Sequence, residues 1–270
     1  MKKITKAAVG VTLAVSLAAG VAALAGCSAD KTGEAYALVH GGSYVGYSKI
    51  VTNGNMVKEL SLHEVCLPTY VTAGESVAED DKVTVKVNDH GSMVDKSFYK
   101  TISYGDITLT YKKVSDTVSG YYTSANQSLG DYLKAETNAK AYYEAVTSNS
   151  VKVTVGGQQK TDIMNNAALN KEENGYWTRT DKSGESYSRW KMNRDATVNY
   201  VKSYGLSRLS KLAKSPDSWE SDAKENKSVQ PWMDGNISTG ATWSDLNSKP
   251  EAGTYLSYAQ LILKAGDAAK

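Results

Sequence analysis

The chain has 270 residues, 41% of them hydrophobic, and carries 31 Lys and Arg against 29 Asp and Glu, a formal net charge of +2. So small an excess leaves no basic face for tracking phosphates and speaks against a nucleic-acid partner. Two cysteines leave no intramolecular disulfide framework, and the three histidines, His40, His63 and His90, are scattered without zinc-ligand spacing.

At the amino end Lys2, Lys3 and Lys6 precede an apolar run from Ala7 to Gly26 that holds no charge. A basic start, an apolar stretch and small residues at its close read as a targeting segment, residues 1–26, outside the fold. An uncleaved transmembrane anchor would have similar length. The run is rich in Ala and Gly, however, and ends Leu24-Ala25-Gly26-Cys27. This ending resembles the lipobox of bacterial lipoproteins. The resemblance implies cleavage before Cys27, a diacylglycerol on its sulfur, and anchorage at the extracytoplasmic face of the cell membrane. Residues 27–35 would then be a lipidated polar tether. Without the three leader lysines, 28 basic residues face 29 acidic ones, so residues 27–270 carry a formal −1. Those 244 residues can bury the core of one large domain or two small ones. Cys66, the other cysteine, is expected as a small buried hydrophobe.

After the tether, Tyr44 to Thr52 and Met56 to Val65 read as two strands of a hairpin, because Asn53-Gly54 tolerates the positive φ of a tight turn. Val83 to Val87 alternates like a strand, and a turn at Asn88-Asp89-His90-Gly91 leads to a strand from Tyr99 to Tyr104. Gly105-Asp106 separates it from Ile107 to Val114. Leu129, Tyr132, Leu133, Ala139, Tyr142, Tyr143 and Val146 recur at helical spacing from about Ser128, a good cap, to Thr147. Val151 to Val155 is a strand ended by Gly156-Gly157.

Residues 158–192 are polar, with Trp177 and Trp190 as packing anchors. An amphipathic helix is expected from Arg194 to Lys214, with Gly205 marking a kink. A last helix spans about Thr254 to Ala265 and carries Leu256, Ala259, Leu261, Ile262 and Leu263. Together these predict an α+β fold: a twisted antiparallel sheet with helices packed on one face. The chain divides into a β-rich region, 36–150, and an α+β region, 151–270, or else forms one continuous domain, 36–270. Eighteen tyrosines and five tryptophans against one Phe suit a half-exposed sheet or a stacking surface.

Before the last helix stands Asn236-Ile237-Ser238-Thr239-Gly240-Ala241-Thr242. This resembles the flavinylation sequence of the covalent-FMN domains found in respiratory and extracellular electron-transfer proteins. The family pattern is Asp, two free positions, Ser or Thr, then Gly-Ala-Thr. The resemblance implies that Thr242 is esterified to the phosphate of FMN by a Mg2+-dependent flavin transferase, with Thr239, Gly240 and Ala241 shaping the loop. Here the family's Asp is Asn236, and the nearest acid, Asp234, lies two residues earlier. Gly42 to Val51 is also similar to the Gly-punctuated opening strand of that family. The chemistry is consistent with these residues: Gly240 admits a tight backbone approach, Ala241 adds no bulk, and the Thr242 hydroxyl is the nucleophile. No Ser-His-Asp set is visible.

What the resemblance implies is a membrane-anchored electron carrier, not an enzyme with its own turnover. Its partners would be the transferase that matures it and a membrane electron donor, a quinone or a flavin oxidoreductase. Trp232 and Trp243, with Tyr255 and Tyr258, are the candidates to stack on the ring, Trp243 foremost. The other expectations are a non-redox surface-binding lipoprotein, its Tyr-rich sheet serving as contact surface, and a carrier that holds FMN noncovalently.

Overall fold

The Asn53-Gly54 turn joins the second and third strands of the computed structural model, Gly54 taking φ 57° as such a turn requires. The structure describes residues 29–39, 42–71, 76–89, 91–115, 118–160, 178–180, 186–212 and 258–270. β1 (Lys31–Val39), β2 (Tyr44–Asn53) and β3 (Met56–Cys66) form an antiparallel sheet in the order β1-β2-β3. Register runs from Lys31 opposite Thr52 to Val39 opposite Tyr44, and a bulge lies between Val51 and Thr52. β1 begins inside the stretch expected to be polar tether, so Lys31 to Glu34 are strand residues.

The second half of the β region is a hairpin and a five-stranded sheet. β4 (Lys82–Asp89) pairs with β5 (Ser92–Tyr99). β6 (Thr101–Tyr104), β7 (Ile107–Lys113), β8 (Ser119–Thr123), β9 (Lys152–Val155) and β10 (Gln158–Lys160) assemble in the order β10-β9-β6-β7-β8. The helical pattern after Ser128 is two helices, α1 (Leu129–Tyr132) and α2 (Glu136–Thr147). Ser128 caps α1: its Oγ accepts from the Asp131 amide at 3.1 Å. Further on, β11 (Thr178–Thr180) pairs with β12 (Ser186–Ser188), and α3 (Arg189–Leu212) and α4 (Tyr258–Ala268) follow. α3 breaks at Gly205, which has φ 76° and ψ 175°, the kink expected there.

The fold is α+β with antiparallel sheets, as expected. The alternation of the three-stranded sheet sends side chains to two cores, and helices cover both of its faces rather than one. Tyr36, Leu38, Val45 and Val65 face a core shared with α1, α2, the β4–β5 hairpin and the five-stranded sheet. Ala35, Val39, Ile50, Leu60 and Leu62 face a second core made with Val201 and Leu209 of α3 and Ala259, Leu261, Ile262 and Ala265 of α4. This second core draws on residues from both sides of position 150.

Tyr142 is the keystone of the first core: it is fully buried and its hydroxyl donates to the Cys66 carbonyl at 2.8 Å. Cys66 is a buried free cysteine. Trp177, Trp232 and Leu256 lie outside the described residues, as does the Trp190 side chain. Among the described residues no helix is long and apolar enough to cross a membrane.

Candidate functional site

The expected site residues Asn236, Thr239, Gly240, Ala241, Thr242 and Trp243, and the lipidation residue Cys27, lie outside the described residues. The described helices on either side of the motif in the chain, α3 ending at Leu212 and α4 beginning at Tyr258, lie on the same face of the three-stranded sheet. Thr242 is 16 positions before the first residue of α4.

α4 approaches the sheet backbone closely because two strand positions lack side chains. A Cβ on Gly33 would fall 2.0 Å from the Ala265 carbonyl oxygen and 2.5 Å from the Ala269 nitrogen. A Cβ on Gly46 would fall 2.8 Å from Leu261 Cδ2. Gly46 belongs to the Gly-punctuated strand, and Leu261 to the helix that follows the Thr-Gly-Ala-Thr motif. The described contact is therefore between Gly46 and the helix that begins at Tyr258.

The layer between this sheet face and the helices is not purely apolar. Ser48, Glu64 and Thr197 are fully buried, and Glu64 sits opposite Gly46 in the ladder. The hydroxyls of Ser48 and Tyr200 are buried and find no hydrogen-bond partner among the described residues. A buried hydroxyl left unpaired costs about 1–3 kcal/mol, so this layer is more polar than packing alone demands. Tyr258, a candidate stacking residue, is fully buried in it.

The opposite face carries a second constellation, drawn from β1, β2, β3 and α2. Tyr47 packs against Tyr36 with tilted rings and centroids 4.8 Å apart, and Tyr143 of α2 lies 5.0 Å from Tyr47 and 5.5 Å from Tyr36. The Tyr47 hydroxyl donates to Glu34 Oε1 at 3.1 Å, and the Tyr36 hydroxyl reaches Oε2 of the same carboxylate at 3.5 Å. Lys140 Nζ lies 4.8 Å over the Tyr36 ring and pairs with Glu144 at 2.6 Å. His63 Nδ1 and the Tyr143 hydroxyl are 2.8 Å apart.

Burial, foremost, pushes the hydroxyls of Tyr36, Tyr47 and Tyr143 above the ordinary phenol range, and the Glu34 carboxylate adds to the effect on Tyr47. Such phenols stay protonated across neutral pH, so they act there as donors and stacking surfaces, not as bases. Sequence reasoning missed this cluster. Its only local signal was Glu34 and Tyr36 two apart on one strand face; Tyr47 comes opposite Tyr36 only through the β1–β2 pairing.

Among the described residues no three His, Cys, Asp or Glu side chains converge into a metal-holding group. Comparison with protein-family models, with curated proteins and with solved structures finds no match to this chain.

Proposed function

We propose that this protein is a lipid-anchored electron carrier at the extracytoplasmic face of the cell membrane, with FMN esterified to Thr242. The observation that carries the reading is the sequence Thr239-Gly240-Ala241-Thr242 in a chain whose amino end closes on Leu24-Ala25-Gly26-Cys27. Alongside it, the next described helix after the motif, α4, docks on Gly46 of the glycine-punctuated strand and on Gly33 of the strand beside it.

Maturation is a phosphoryl transfer carried out by a partner enzyme. The Thr242 Oγ1–phosphorus bond forms as the phosphoanhydride of a flavin dinucleotide breaks. The other mononucleotide leaves, and the hydroxyl proton passes to a base of the transferase. Gly240 and Ala241 give the transferase room to bring the two atoms together. When bound, FMN supplies the redox chemistry, accepting electrons from a membrane donor and passing them on singly or in pairs. Covalency suits a protein outside the cell, because a dissociable cofactor is held only while its free concentration exceeds its dissociation constant.

The competing reading, a non-redox binding lipoprotein, leaned on a tyrosine-rich contact surface. Tyr99, Tyr104, Tyr111, Tyr121 and Tyr142 are instead core residues, which favours the carrier. The test is to co-express the mature chain with a flavin transferase and look for flavin fluorescence on a denaturing gel. Fluorescence that survives denaturation supports the covalent carrier. Flavin that is bound in solution but stripped by denaturation points to the noncovalent one.

A further inference from the structure

We infer that one end of the three-stranded sheet, presenting Met56 and Tyr204, rests on the lipid surface to which Cys27 is anchored. The inference builds on the lipoprotein reading and goes beyond it by naming the face that meets the membrane.

The argument starts from chain length. β1 begins at Lys31, and Asp30 is already held: its carboxylate accepts from Asn53 Nδ2 at 2.7 Å and from Lys58 Nζ at 2.9 Å. Three residue steps separate Cys27 from Asp30, and such a stretch spans at most about 11 Å when fully extended. A lipid on Cys27 therefore holds its anchor point within about 11 Å of Asp30 and this end of the sheet. The end contains Lys31 opposite Thr52, the turn at Gly54 and Asn55, and the kink of α3 at Gly205, where a Cβ would lie 3.5 Å from the Asn55 carbonyl oxygen.

The residues bordering that contact are unusual for a solvated surface. Met56, next to Asn55, is 65% exposed, and Tyr204, next to Gly205, is 61% exposed. They are the two most exposed of the six large hydrophobic side chains that stand out among the described residues. Tyr204 packs against the buried Tyr200, with tilted rings and centroids 4.8 Å apart, so its ring is braced from one side. A flexible thioether and a braced phenol suit the boundary between headgroups and acyl chains, where an apolar body and a polar tip are both satisfied. Two of the charged groups at this end are held in ion pairs, Lys58 with Asp30 and Lys270 with Asp267.

The test uses the mature chain, residues 27–270, coupled through the Cys27 thiol to a maleimide lipid in phosphatidylcholine vesicles; Cys66 is buried and does not compete. Amide hydrogen exchange is compared between the coupled and uncoupled chain. Residues 54–56 and 204–206 should exchange at least about fivefold more slowly when coupled. Ser43, at the far end of the same strands on the order of 27 Å away, should not change. The coupled Met56→Ser/Tyr204→Ser variant should lose the protection, since both side chains are exposed and the fold does not need them. Equal exchange in coupled and uncoupled chains, or protection that survives the double substitution, overturns the docking. The anchoring reading is tested separately, by the intact mass of the chain made in an exporting bacterium. A mass without the diacylglycerol sinks that reading and the docking with it.

Discussion

Gly33 and Ala265 meet backbone to backbone: a methyl group on Gly33 would stand 2.0 Å from the Ala265 carbonyl oxygen, closer than any real contact. The contact clamps the last helix onto the first strand. Gly33→Ala should therefore cost about 3 kcal/mol or more, since a backbone group cannot swing aside as a side chain can. Gly46→Ala meets the movable side chains of Leu261 and Val39 and should cost about 1–3 kcal/mol. Urea denaturation of the two variants measures the ranking, and a Gly33→Ala chain as stable as the parent would refute the close docking.

The hydrogen bond between Tyr143 and His63 joins α2 to β3 at 2.8 Å. Tyr143→Phe keeps the ring contacts with Tyr36 and Tyr47 and removes only the hydroxyl. It should lower stability by about 1 kcal/mol. A double cycle with His63 then isolates the bond: once His63 is replaced by an apolar residue, the Tyr143→Phe loss should largely vanish.

Tyrosine titration gives the pH dependence at the alkaline end. Burial, the leading cause, raises the phenols of Tyr36, Tyr47 and Tyr143 above their value in an unfolded chain. The folded state thus holds these protons more tightly. Their contribution is complete below about pH 10, the unfolded phenol value, and is lost as pH climbs through the folded values. Phenolate absorbance should rise together with loss of the circular-dichroism signal. Smooth ionisation of every tyrosine near pH 10 in a chain that stays folded would contradict the burial.

At the acid end, hydrogen bonds from Asn53 and then Lys58 hold the Asp30 carboxyl below its ordinary range. That contribution is present above the unfolded carboxylate value and fades as pH falls through the folded one. Asp30→Asn should release the start of β1 at neutral pH, seen as faster amide exchange at Lys31 and Thr32 with the rest of the sheet unchanged.

Much of the fold was legible where one local rule decided the outcome. The Asn53-Gly54 turn set the β2–β3 hairpin, Ser128 capped a helix, and Gly205 broke one. The misses have a common cause in tertiary packing. Lys31 to Glu34 are polar and read as tether, yet they form strand because β2 pairs with them and Gly33 admits α4. β5 escaped notice because Ser92 to Phe98 are exposed or half-buried and lack clean alternation. The break between α1 and α2 was hidden because Leu129, Leu133, Ala139 and Tyr142 all reach the same core on both sides of it.

Of the proposed site, Thr239-Gly240-Ala241-Thr242 is legible as a short contiguous pattern. The Glu34–Tyr36–Tyr47–Tyr143–His63 cluster is not, since it draws on four elements up to about a hundred residues apart.

The central claim is that Thr242 carries FMN, and intact mass spectrometry of the mature chain co-expressed with an active flavin transferase tests it most directly. The account predicts a gain of one FMN less water on the wild-type chain and no gain on Thr242→Ala. An unmodified wild-type chain beside a flavinylated control protein would contradict it, and so would a gain that persists in Thr242→Ala.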